Sequence, residues 1–107
     1  MTVQLLGIGA CRIQLKDKSI LIDAFNDYNE APKVSDHDII LFTHSDGDHF
    51  QVKKIEDSIK RTNLIIGPPS ITYDCLCSKK IHEDQLTICY PNEYQSPITK
   101  IINDITV

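Results

Sequence analysis

The run Ile39 to Thr43, IILFT, constrains the fold more than any other part of the chain. It is of strand length and continuously apolar. A strand with one wet face alternates apolar and polar residues, so an unbroken run suits a strand covered on both faces. The chain is therefore expected to build a sheet with this strand in its interior. The run ends at His44-Ser45-Asp46-Gly47-Asp48-His49, a dense polar segment at the strand's exit.

Other elements can be read around it. Thr2 to Ile8, Cys11 to Lys16 and Ser19 to Asp23 are short, β-compatible runs separated by Gly7-Ile8-Gly9 and Asp17-Lys18, which predicts a three-stranded antiparallel meander. Ala24 to Asp38 is polar and reads as a surface connection. Val52, Ile55 and Ile59 recur at helical spacing, predicting an amphipathic helix over Phe50 to Arg61. Asn63 to Ile66 reads as a second buried strand, stopped by Gly67-Pro68-Pro69. A helix follows from Pro69 or Ser70 to about Ser78, then a strand over Gln85 to Tyr90. Thr99 to Ile102 and Ile105 to Val107 read as a hairpin around Asn103-Asp104. This order predicts an α/β or α+β domain with helices packed on a mixed sheet. At 107 residues there is one hydrophobic core. Val107 falls inside an apolar, strand-like run, which reads as a domain cut short.

Several function classes fit poorly. A net charge of −4 and scattered lysines and arginines argue against a nucleic-acid footprint. No apolar run reaches membrane-spanning length and no leader pattern opens the chain, so a cytoplasmic protein is expected. Cys11, Cys75, Cys77 and Cys89 then read as reduced thiols. Cys75, Cys77, His82 and Cys89 fit no common zinc spacing. Gly7-Ile8-Gly9 lacks the third glycine of a dinucleotide fingerprint, and Ser45 lacks a separate base that would make it a nucleophile.

His44, Asp46, Asp48 and His49 place four potential metal ligands within six residues. Two imidazoles and two carboxylates supply donors preferred by zinc, iron or manganese. Gly47 allows a tight turn that lets them converge. Each residue has an ordinary explanation alone, with Asp48 capping a helix, Asp46-Gly47 making a turn and both histidines exposed. Four together after a buried strand point to a metal. An EF-hand calcium loop wants acids at alternating positions ahead of its glycine, and this segment lacks them.

THSDGDH resembles the HxHxDH motif of the metallo-β-lactamase superfamily, with Asp46 in place of the second histidine. LLGIGACRIQLKDKSILIDAF resembles the family's opening meander, VSDHDIILFTH its ligand-delivering strand, and NLIIGPPS the strand and helix start that follow. The chain is most similar to the lactonase-like branch of predicted zinc-dependent hydrolases. The resemblance implies the N-terminal half of an αββα sandwich, with helices on one face of the sheet. It implies that His44 and Asp46 serve a first metal and Asp48 and His49 a second, Asp48 being also catalytic, while Asp23 supports the ligand loop. It implies zinc, with manganese or iron as alternatives because the harder oxygen of Asp46 weakens the preference for zinc. The activity implied is hydrolysis of an ester, lactone, amide or phosphoester by metal-activated water. The family's later histidines and bridging aspartate have no counterpart here, and His82 reads as a surface residue. The chain alone is therefore expected to be inactive or weakly active. A homodimer through the uncovered sheet face, or a partner carrying the other half, is expected to complete it. The alternative is a metal-binding or self-associating remnant without turnover.

Overall fold

The computed structural model describes residues 1–7, 9–26, 28, 30–43 and 52–88, with the backbone of 101–102 and 105–106. Its centre is a six-stranded mixed sheet whose spatial order follows the chain. Strands β1 (Thr2–Gly7), β2 (Ala10–Gln14) and β3 (Ser19–Ile22) pair antiparallel. From β3 the sheet continues in parallel through β4 (Ile39–Leu41), β5 (Leu64–Gly67) and β6 (Leu86–Ile88). Helix α1 (Val52–Ser58) connects β4 to β5, and α2 (Pro69–Leu76) with a short 3-10 turn connects β5 to β6. The backbones of β7 (Ile101–Ile102) and β8 (Ile105–Thr106) pair as a separate antiparallel hairpin. This is the expected α+β class. None of the described helices is long and apolar enough to cross a membrane.

The interior strand is as apolar as its environment requires, with Ile39 and Ile40 both fully buried. Because β4, β5 and β6 succeed one another in one direction, crossovers of the same hand bring both helices to the same face. There Leu21, Ile40 and Ile65 meet Ile55 of α1 and Ile71 and Cys75 of α2 in one buried cluster. Val52 and Ile59 flank it, so the helical spacing seen in the sequence is the spacing that packs.

The glycine turn between β1 and β2 has a simple backbone cause. Gly7 and Gly9 have φ of 148° and 66°, where a side chain would strain the chain. It is a hairpin turn next to a bulge between Leu5 and Gly7, as expected for a structural rather than phosphate-binding glycine pair.

Two expectations need correction. Helix α1 ends at Ser58, short of Arg61. Asn63 stops it, since its Oδ1 accepts the Lys60 N–H at 2.8 Å and its own N–H donates to the Lys60 carbonyl at 3.0 Å. The connection after β3 is also not wholly on the surface. Ala24, Phe25 and Asn26 are buried, and Phe25 and Val34 join the core cluster.

The amino ends of β3, β4, β5 and β6 are joined by buried polar groups. Asp38, immediately before β4, accepts the N–H of Ser19 at 2.7 Å and of Ser35 at 2.9 Å. Asn63, immediately before β5, donates through Nδ2 to the carbonyls of Ser35 at 2.7 Å and Asp38 at 3.2 Å. Gln85, immediately before β6, donates to the carbonyls of Lys60 and Asn63, both at 2.9 Å. Each of these side chains is inaccessible or nearly so. Buried polar groups are tolerable only when bonded, so this ladder penalises any slip in the parallel register.

The sheet face away from the helices is apolar from β1 to β5 and ends at Thr87 of β6. The pairing register aligns Val3 and Leu5 with Ile13 and Cys11, then Ile20 and Ile22, Ile39 and Leu41, and Leu64 and Ile66. Burial falls off toward β1: Ile39 and Ile66 are covered, whereas Val3 and Leu5 are 60% and 84% exposed.

Replacing Asn63 with alanine leaves the Lys60 N–H without its side-chain acceptor and removes a donor from the part-buried Ser35 carbonyl and the buried Asp38 carbonyl. The expected cost is about 2–4 kcal/mol, from unsatisfied buried groups at roughly 1–3 kcal/mol each. Urea unfolding of Asn63→Ala against the wild type measures it; a change below about 0.5 kcal/mol, the range of ordinary surface substitutions, would deny the ladder its role.

Candidate functional site

In parallel sheets the carboxyl ends of the strands open onto the crevice where ligands bind. Here that rim is formed by the ends of β3, β4, β5 and β6, opposite the polar ladder. Its central feature is Asp23, directly after β3 and almost fully buried. Asp23 accepts two hydrogen bonds from one residue: the Thr43 N–H reaches Oδ1 at 2.9 Å and the Thr43 hydroxyl reaches Oδ2 at 2.6 Å. The Asp23 N–H donates to the Leu41 carbonyl at 2.9 Å, extending the β3–β4 pairing by one step. Both oxygens of a buried carboxylate are thus directed at the exit of β4.

The local backbone is shaped for this. Asp23 has φ of 48°, in the left-handed region that aspartate and asparagine enter more readily than other side chains. The turn is held by Asn26, whose Nδ2 donates to the Asp23 carbonyl at 3.0 Å and whose Oδ1 accepts the Tyr28 N–H at 2.9 Å. Lys54 of α1 donates its ammonium to the Asn26 carbonyl. Strand, turn and helix therefore meet beneath Thr43, the residue that precedes His44 in the chain.

His44, Asp46, Asp48 and His49 themselves lie outside the described residues, as does Phe50 at the expected start of α1. Among the described residues, no group of three or more His, Cys, Asp or Glu side chains could hold a metal ion. The cysteine-rich stretch does not converge there. Cys75 is fully buried in the core, Cys77 is exposed at the end of α2, and His82 is exposed, as expected of a surface residue. Cys89 is outside the described residues. Burial, helped by the nearby charges of Asp74 and Glu56, pushes the Cys75 thiol up to about 12, so it stays protonated and is a poor ligand.

Among the described residues, three basic side chains of the α1 region each have a partner. Arg61 bonds to Asp84 at 2.8 Å and Lys60 lies 3.9 Å from Asp36, while Lys54 faces Asn26. The Arg61–Asp84 contact raises the guanidinium pKa and lowers that of the carboxylate, but both groups are fully exposed and the pair is a tether rather than a source of stability.

Sequence reasoning identified Asp23 through a resemblance but overlooked Thr43 and Asn26. Thr43 was legible only as the last residue of a strand, since its hydroxyl acquires meaning from a carboxylate twenty positions away. No family model, curated protein or solved structure matches this chain.

Two outcomes are expected. Asp23→Asn keeps a residue suited to positive φ but removes the carboxylate. With one Thr43 bond lost or inverted it should cost about 1–3 kcal/mol, whereas Asn26→Ala acts only through the turn. Native-state labelling with a thiol-specific reagent at pH 8 should modify Cys77 quickly and Cys75 only after unfolding, because Cys75 is both covered and protonated below about 12. Equal labelling rates would contradict its placement in the core.

Proposed function

We propose that the chain is a metal-binding domain of metallo-β-lactamase type, with His44, Asp46, Asp48 and His49 as ligands and hydrolysis as the reaction of its completed form. The observation that carries the reading is the Asp23–Thr43 clasp. A buried carboxylate spends both oxygens on the residue next to the first proposed ligand, as expected where a ligand loop has to be held by its base. The clasp lies at the carboxyl rim, where α/β sheets carry their sites.

The donor set fits a divalent ion of the zinc, manganese or iron type. His44 and Asp46 would serve one position and Asp48 and His49 another, and an acid in place of a histidine shifts preference toward the harder ions. A bound divalent cation acidifies water and polarises an ester, lactone or phosphoester. Asp23 anchors the strand exit, and Asp48, in this reading, holds a ligand position close to the reacting atoms. Four donors from one loop do not make two open sites with full ligand sets. The remaining ligands must come from elsewhere: another segment, a partner or a second copy. The open end of the apolar face opposite the helices, at Val3 and Leu5, is where such a second layer would pack, making the domain one half of an αββα sandwich.

A second reading, metal binding without turnover, is favoured by the same shortage of ligands. Metal content and thermal stability test the first step common to both. Zinc or manganese in large excess over its dissociation constant should stabilise the wild type by about 2.7 kcal/mol at a hundredfold excess, and a His44→Ala, His49→Ala double variant should show no shift. Equal behaviour of the two proteins would remove the metal. If binding holds, assays on ester, lactone and phosphodiester substrates with added metal separate hydrolase from binding module.

A further inference from the structure

Within the six-stranded sheet, the outer strand β1 is the most exposed. Thr2, Val3, Gln4, Leu5 and Gly7 are exposed, and only Leu6 packs on the core cluster. Among the described residues, no backbone group of Thr2 to Leu5 bonds outside the ladder with β2. A strand edge presents a row of unpaired N–H and C=O groups, and protein sheets ordinarily block it with lysine, proline, an inward charge or a bulge. Thr2 to Leu5 contains no charged residue and no proline. The bulge lies beyond it, between Leu5 and Gly7, so four consecutive residues keep regular pairing geometry.

We propose that β1 is a self-pairing edge through which two copies of this chain join antiparallel about a two-fold axis at Gln4. The occupant is argued from the strand's own composition. In that register Val3 stands opposite Leu5 of the second copy, Leu5 opposite its Val3, Gln4 opposite its Gln4, and Thr2 opposite its Leu6. Apolar side chains meet on one face and amides on the other, which is the pairing that stabilises neighbouring strands. No like charges oppose each other at this edge, although each chain carries a net charge of −4 that repels a second copy elsewhere. The antiparallel arrangement continues that of β1, β2 and β3. It also makes the apolar faces of the two sheets contiguous, with the exposed Val3 and Leu5 at the centre. An isologous contact of this kind closes at two copies and does not propagate.

The proposal is independent of the metal reading and uses none of its residues. It is tested by sedimentation of three full-length proteins: the wild type, a Val3→Lys, Leu5→Lys variant and a Val3→Glu, Leu5→Glu variant. Both positions are exposed, so circular dichroism and thermal unfolding of each monomer should resemble the wild type. The wild type is expected to dimerise across the micromolar range and each charged variant to remain monomeric. An equimolar mixture of the two variants should recover the dimer, because residue 3 of one copy faces residue 5 of the other. Hydrogen exchange in the wild type should show amides of Thr2 to Leu5 becoming protected as concentration rises. A wild type that stays monomeric throughout would overturn the proposal. So would a dimer that survives in both charged variants, which places the contact on the sheet face instead, or a mixture that fails to associate. Metal-induced stabilisation measured in the same variants should equal that of the wild type, and its absence would bear on the metal reading alone.

Discussion

The ladder formed by Asp38, Asn63 and Gln85 is the interaction on which the parallel part of this sheet depends. Each residue sits one position ahead of a parallel strand and is withdrawn from water, so each must find its partners within the protein. Apolar side chains along β4 and β5 would pack nearly as well after a two-residue slip. Three buried amides and carboxylates would not, because a slip leaves donors and acceptors unpaired at a cost comparable with a large part of a small domain's stability. Hydrophobic burial drives the sheet together, and the polar ladder selects its alignment.

The two ends of the sheet consequently have different roles. At the amino rim the polar groups bond to backbone on neighbouring elements and hold strand starts in place. At the carboxyl rim Asp23 does something more local, with both carboxylate oxygens bonded to Thr43. The first arrangement is redundant, with several contacts supporting each strand. The second concentrates two bonds on a single residue, and the αL turn at Asp23, braced by Asn26 and Lys54, keeps that carboxylate aimed. The exit of β4 thus has a fixed origin, built from one side chain.

The two faces differ as well. Helices α1 and α2 cover one, where the core cluster is found, and the register leaves a second face of valine, leucine, isoleucine and cysteine. Central positions on that face are covered and those at β1 are not, so apolar exposure is concentrated at one edge. Hydrophobic area is non-directional and specifies no partner by itself. Backbone pairing is directional, and the neutral sequence of β1 leaves it unobstructed.

Local patterning accounts for most of the fold. An unbroken apolar run has to be an inner strand, a 3.6-residue period has to be a helix with one wet face, and glycines at a hairpin mark positive φ; β4, α1 and the first turn follow from these rules alone. The donor chemistry of His44, Asp46, Asp48 and His49 is equally legible, because residue type and spacing carry it. What no window of sequence contains is the set of contacts between distant positions. Asn63 ends α1 and also ties Asp38 to β5; Phe25 leaves an otherwise polar stretch for the core; Thr43 becomes part of a clasp only once β3 and β4 pair in parallel and bring Asp23 beside it. Such polar side chains look like loop residues until a fold removes their water, after which hydrogen bonding across the sheet determines where each must be.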